Sequence, residues 1–96
     1  MSEPLTDEEL DRIANLANAA TAGPWEAFVT GRNQPTGDDF IRCGLDDTEP
    51  DMSVSLWYGT RRLPAPVSDL DFIASARQDV PRLVEEVRRL REQVSR

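Results

Sequence analysis

Leu10, Ile13, Ala14, Ala17 and Ala20 recur at intervals of three and four, a narrow stripe that predicts a helix from about Asp7 to about Ala20. Thr6-Asp7-Glu8-Glu9 opens it as a capping box, with acids in the turn where the helix dipole favours them. Thr21-Ala22-Gly23-Pro24 ends it, with Gly23 expected in a left-handed C-cap and Pro24 unable to continue. From Trp25 the period becomes two: Trp25, Ala27 and Val29 fall on one face, Glu26 and Phe28 on the other. "FIRCGL" is a second strand candidate and "MSVSLWYG" a third, in which Val54, Leu56 and Tyr58 share one face and Ser53, Ser55 and Trp57 the other. Loops of this length suggest a three-stranded antiparallel meander. "TRRLPAPV" then reads as a proline-stiffened linker.

Ser68-Asp69-Leu70-Asp71 offers a second capping box, leading into a short helix with Leu70, Phe72, Ile73 and Ala76 apolar. Pro81 lacks an N–H and suits a first turn, so a break is expected there, with Asp79 capping a new helix. Leu83, Val87, Leu90 and Val94 follow at spacings of four, three and four, a coiled-coil-like seam of about two heptads. The expectation is a single α+β domain over 1–96: an N-terminal helix, a three-stranded meander, a short helix and a C-terminal helix. Residues 1–67 form the helix and sheet, and 68–96 a helical arm for oligomerisation. Two heptads are too short to hold helices together alone, so the globular part must share that contact.

With 96 residues the chain supports one modest core, which makes association with other copies a natural source of stability. Its charge of −7 argues against general nucleic-acid binding and fits either plain solubility or attraction to a basic partner. No apolar run approaches a membrane span and "MSEPLTDEEL" is no signal peptide, so a cytoplasmic location is expected. One cysteine excludes an internal disulfide. All 11 basic residues are arginine, a bias of GC-rich genomes.

Chemistry-bearing patterns are scarce. Without histidine there is no Ser-His or Cys-His dyad and no histidine metal site, and no phosphate-cradling glycine loop exists. Cys43 alternates with Ile41 and Leu45 and reads as a buried small hydrophobe. Asp38-Asp39 and the acidic loop 46–51 lack calcium-loop spacing and read as solvated turns. These features predict no enzyme, no cofactor and no metal. Trp57, Tyr58, Arg61 and Arg62 form the one cluster suited to a ligand, because aromatic rings stack on bases and guanidinium forks match phosphates. Arg77 is a further candidate. The competing reading places the two rings on opposite sheet faces and the arginines in solvent at a strand end. The arginine-rich last helix reads as a solvated face flanking the oligomer seam.

"ANAATAGPWEA" and "DLDFIASARQDVPRLVEEVRRLR" together resemble a group of small phage-encoded proteins related to the Ead-type early proteins. The matching positions are Thr21, Gly23, Pro24 and Trp25, then Asp69, Phe72, Ile73, Ala74, Ala76, Arg77, Asp79, Val80 and Pro81. They cover both ends, about a third of the chain, and the middle strands carry no such motif. The resemblance implies a phage accessory role in the host bacterial cytosol, with oligomerisation through the last helix and no catalytic residues. The functional expectation is a homo-oligomeric binding protein that interferes with host defence or physiology. It would sequester a small nucleotide-type signal at a subunit interface through Trp57, Tyr58, Arg61, Arg62 and Arg77. Two alternatives are an acidic inhibitor that occludes a host protein through Asp38-Asp39 and loop 46–51, and a structural or virion-associated adaptor. Gly23, Pro24 and Trp25 are expected to be structural, the Trp25 ring lying on the alanine stripe and fixing the first helix against the sheet.

Overall fold

Thr6 caps the first helix as its sequence requires: the Glu9 N–H donates to Thr6 Oγ1 at 3.0 Å, and the Thr6 N–H donates to Glu9 Oε1 at 3.0 Å. Helix α1 (Asp7–Ala19) follows and ends in an extended cap at Ala20. In this computed structural model residues 3–45 and 49–94 are described, so the first half of the acidic loop 46–51, Asp46 to Thr48, lies outside the described residues. Strands β1 (Trp25–Phe28) and β2 (Phe40–Cys43) pair antiparallel, with Trp25 opposite Cys43 and Phe28 opposite Phe40. Strands β3 (Ser55–Tyr58) and β4 (Arg61–Pro64) form a second antiparallel pair, and helix α2 runs unbroken from Val67 to Val94.

The sheet is therefore not a three-stranded meander. Met52 begins as a third strand should, exchanging two hydrogen bonds of 2.8 Å with Ile41. The chain then leaves β2, and Ser55–Tyr58 pair instead with the segment expected to be a linker. Gly59, at φ 66°, permits the two-residue turn that brings Arg61 opposite Tyr58. Local closure of a hairpin needs far less chain ordering than extending the first sheet.

The break at Pro81 is also absent. Proline removes one bond, the one its missing N–H would have donated to the Arg77 carbonyl. Helix continuity is held from both sides of that point, by β1 and β2 on the first half and α1 on the second. Asp79 is consequently mid-helix rather than a cap. Nor does Ser68 cap α2: the helix starts at Val67, and the Pro66 carbonyl accepts from the Asp69 and Leu70 N–H groups.

Ala27, Val29, Ile41, Cys43, Ala65, Leu70 and Ala74 form the core between the first sheet and the first half of α2. The inward set on β1 and β2 is the period-two face read from the sequence, except that β2 ends at Cys43 and leaves Leu45 exposed. Cys43 is buried, and burial with the nearby Asp51 and Glu49 carboxylates pushes its thiol pKa up. Helix α1 does not touch the sheet; it packs antiparallel on the second half of α2, where Leu10 and Val84 are buried. Arg88 meets Asp11 at 2.6 Å, and Arg91 meets Asp7 at 3.0 Å. The radius of gyration, 16.8 Å, exceeds the roughly 12–13 Å of a compact chain this long, because the helical pair and the β3–β4 hairpin both project. No described helix is long and apolar enough to cross a membrane.

Two carboxylates tie exposed segments to the fold. The Thr6 hydrogen bonds hold Glu9 below the usual glutamate range, and the Arg32 fork, at 2.8 and 3.2 Å, does the same to Asp71. A lowered folded-state pKa stabilises fully above the unfolded value and is lost as pH falls through the folded one. Acid unfolding followed by circular dichroism should thus begin below about pH 4, with a shallower acid limb in Asp71→Asn. An identical limb in that variant would show that the Arg32 pair adds nothing.

Candidate functional site

Two places gather the residues that carry chemistry, and the structure separates them. The first is the protruding β3–β4 hairpin. Its register sets Trp57 opposite Arg62 and Tyr58 opposite Arg61. Directly opposed residues share a face, so Trp57 and Arg62 point to one side, Tyr58 and Arg61 to the other. The four side chains therefore do not converge on one point. Neither strand packs against another helix or strand, and the rings are bare, Trp57 at 66% and Tyr58 at 82% exposure. Among the described residues, Arg61 and Arg62 make no ion pair and no side-chain hydrogen bond.

The Trp57–Arg62 face overlooks a groove of about 610 Å³, lined by Arg62 and Ser55 of the hairpin, Ser53 before it, and Thr30, Asp38 and Asp39 of the β1–β2 connection. That connection is braced from within. The Thr30 N–H donates to Asp39 Oδ1 at 2.9 Å, Thr30 Oγ1 donates to the Gly37 carbonyl at 2.7 Å, and Gln34 Nε2 donates to the Asp38 carbonyl at 2.9 Å. The groove thus offers a guanidinium on one wall and carboxylates on the other, with hydroxyls between. Among the described residues no group of acids and Cys43 gathers as metal ligands.

The second place surrounds Trp25. Its indole N–H donates to the Thr21 carbonyl at 3.1 Å and to the Ala22 carbonyl at 3.3 Å, so the ring folds back on its own loop rather than onto the alanines of α1. Trp25 does not fix α1 to the sheet; it fixes the 21–25 loop to α2. Arg77 Nε donates to the Thr21 carbonyl at 2.9 Å and its guanidinium lies 6.0 Å from the centre of the Trp25 ring. Arg77 is thus engaged here, apart from the hairpin arginines. Gly23 is not a left-handed cap: its φ is not positive, and a Cβ there would sit 3.3 Å from Arg77 Cγ. Its value is close approach to α2. The Gly23–Pro24 peptide is cis, and the Pro24 carbonyl accepts from the Gly44 N–H at 2.8 Å.

Gln78 and Asn33, which the sequence reading passed over, complete this place. The Trp25 N–H donates to Gln78 Oε1 at 2.9 Å, and Gln78 Nε2 donates to the carbonyls of Trp25 and Ala74 at 3.2 and 3.0 Å. Asn33 does the same further along, accepting from Val29 N–H at 2.7 Å and donating to the Ala27 carbonyl at 2.9 Å. Side-chain amides thereby pair the open edge of β1, which would otherwise present unpaired backbone groups. The one available signal was a polar Gln78 one turn after Ala74 on the apolar side of the helix. This second place is internally satisfied and reads as architecture.

Of the expected oligomer seam, Val87 is half-buried beside α1, whereas Leu83, Leu90 and Val94 are exposed. Comparison with protein-family models, with curated proteins and with solved structures gives no match.

Proposed function

We propose that this chain is a non-enzymatic, homo-oligomeric accessory protein of phage, related to the Ead-type early proteins, that captures a small nucleotide-type signal and so interferes with host defence or physiology. The observation that carries this reading is the Trp57–Arg62 pair, a bare indole and a guanidinium unpaired among the described residues, on one hairpin face above an open groove. A base stacks on Trp57, a phosphate takes the Arg62 fork, and sugar hydroxyls face Asp38 and Asp39. The groove's volume lies within the usual range for ligand sites, and its open side is where a neighbouring subunit would close it. Calorimetric titration with cyclic and linear nucleotides tests this. Trp57→Ala and Arg62→Ala should each weaken binding about 10- to 100-fold without altering the fold. Failure of every nucleotide to bind would remove the reading.

A second reading, occlusion of a host protein, is favoured by the other hairpin face. Tyr58 and Arg61 join the bare Leu56 and Leu63 there, and tyrosine, tryptophan and arginine are the residues on which protein interfaces most depend. Under it, Tyr58→Ala abolishes partner binding and Arg62→Ala leaves it largely intact.

A further inference from the structure

We infer that two copies of this chain associate through an antiparallel contact between their α2 helices, along an apolar stripe from Phe72 to Val94. The continuity of α2 through Pro81 is what creates this stripe. At about 100° per residue, an unbroken helix brings Phe72, Leu83, Leu90 and Val94 within about 40° of one another, over a length of about 33 Å. All four are open to solvent, at 75%, 62%, 47% and 86% exposure. Ala76 falls in the same arc. A break at Pro81 would have left Phe72 unrelated to the other three.

The two flanks of the stripe differ. On one side α1 lies against Val84, Arg88 and Arg91. The other side carries Asp79, Arg82, Glu86 and Arg89, all exposed, three of them bordering an open groove with Leu83. Parallel helices bring opposite flanks together, which would drive the free flank of one copy into α1 of the next. Antiparallel helices bring like flanks together, so the free flank meets its own copy and both α1 helices stay clear.

The charges on that flank read acid, base, acid, base, an order that complements itself when reversed. Centring the pair near Leu83 and Val84 sets Asp79 against the second copy's Arg89 and Arg82 against its Glu86. Nearly the same centre sets Phe72 against Val94, Ala76 against Leu90, and Leu83 against itself. Glu86 also pairs with Arg89 within the chain at 2.5 Å, but both remain about half exposed and can be shared. The apolar stripe drives association, while the charges select direction and register. This arrangement rests on the homo-oligomeric part of the reading above and is independent of any ligand.

Cysteine cross-linking tests it, because Cys43 is buried and supplies little background. The native mass should be that of two chains, falling to one in Leu83→Glu. Leu83→Cys should form a disulfide dimer on mild oxidation, and Phe72→Cys alone should not. Co-expressed Phe72→Cys and Val94→Cys chains should yield the mixed dimer. A dimeric mass with Phe72→Cys cross-linked to itself, or with no Leu83→Cys product, would overturn the antiparallel arrangement while leaving the oligomer standing. A single-chain mass at tens of micromolar, with no cross-link, would overturn both. Trp57→Ala and Arg62→Ala, which remove the ligand contacts, should keep the mass of two chains, which keeps this outcome separate from the ligand reading.

Discussion

Trp25→Ala is expected to destabilise the fold by about 3–5 kcal/mol, the usual consequence of removing a large aromatic side chain from a packed site. The indole does two things at once. Its ring lies beneath the Arg77 guanidinium, and its N–H satisfies the carbonyls of Thr21 and Ala22 at the end of the helix-to-strand loop. Small domains of this kind have total stabilities of about 5–15 kcal/mol, so the variant should be largely unfolded at modest urea. Trp25→Phe separates the two contributions: it keeps most of the ring and deletes the donor, and should cost about 1–2 kcal/mol. Equilibrium urea unfolding at one fixed protein concentration measures both, since association would make stability concentration-dependent. A loss below about 1 kcal/mol in Trp25→Ala would show that the 21–25 loop is held by other means.

The second large effect should come from Gln78→Ala, at about 2–4 kcal/mol. Gln78 spans three hydrogen bonds, two of them to the backbone of Trp25 and one to the Ala74 carbonyl. Truncation leaves the Trp25 N–H and carbonyl unpaired at a part-buried strand edge, and an unmade bond there is more costly than a made one is favourable. The effect should also be local. Amide hydrogen exchange at Trp25 should accelerate far more than at Ile41, whose N–H bonds to Met52 inside the sheet. Gln78→Glu retains the acceptor for the Trp25 N–H but turns a carboxylate oxygen toward two carbonyls, so it should not rescue. Near-parental stability and exchange in Gln78→Ala would mean that β1 needs no cover from α2.

These two residues show what was and was not legible. Trp25 stood out because it follows Gly23-Pro24 at a change of period, and its importance to the fold could be read from that place alone. Its partner could not. Local pattern suggested the alanines of the preceding helix, whereas the ring turns to its own loop and to Arg77, 52 positions away in the chain (77 − 25). Gln78 carried almost no signal, since a polar residue on a helix is ordinarily solvated. Only the approach of β1 makes its amide a strand partner.

The candidate ligand site divides in the same way. That Trp57, Tyr58, Arg61 and Arg62 suit a nucleotide or a protein surface follows from residue type. That Trp57 goes with Arg62 and Tyr58 with Arg61 follows from the hairpin register, which depends on the Gly59 turn. The turn was hidden because Pro64 and Pro66 made the following segment resemble a linker. Proline is tolerated at Pro64 because β4 is an edge strand.

Sequence alone determined the elements whose causes are local. The α1 capping box, the period-two face of β1 and β2, the burial of Cys43 and the apolar run of the last helix each depend on residues within a turn or two of one another. Tertiary structure decided everything that required distant groups to meet. It carried the helix through Pro81, because packing on both sides outweighs one missing hydrogen bond. It sent Ser55–Tyr58 to a hairpin instead of the first sheet, placed α1 on α2 instead of on the strands, and by keeping α2 whole aligned Phe72 with Leu83, Leu90 and Val94. Propensity and spacing act over a few residues, whereas the free energy that chooses between alternative pairings comes from surfaces buried between segments far apart in the chain.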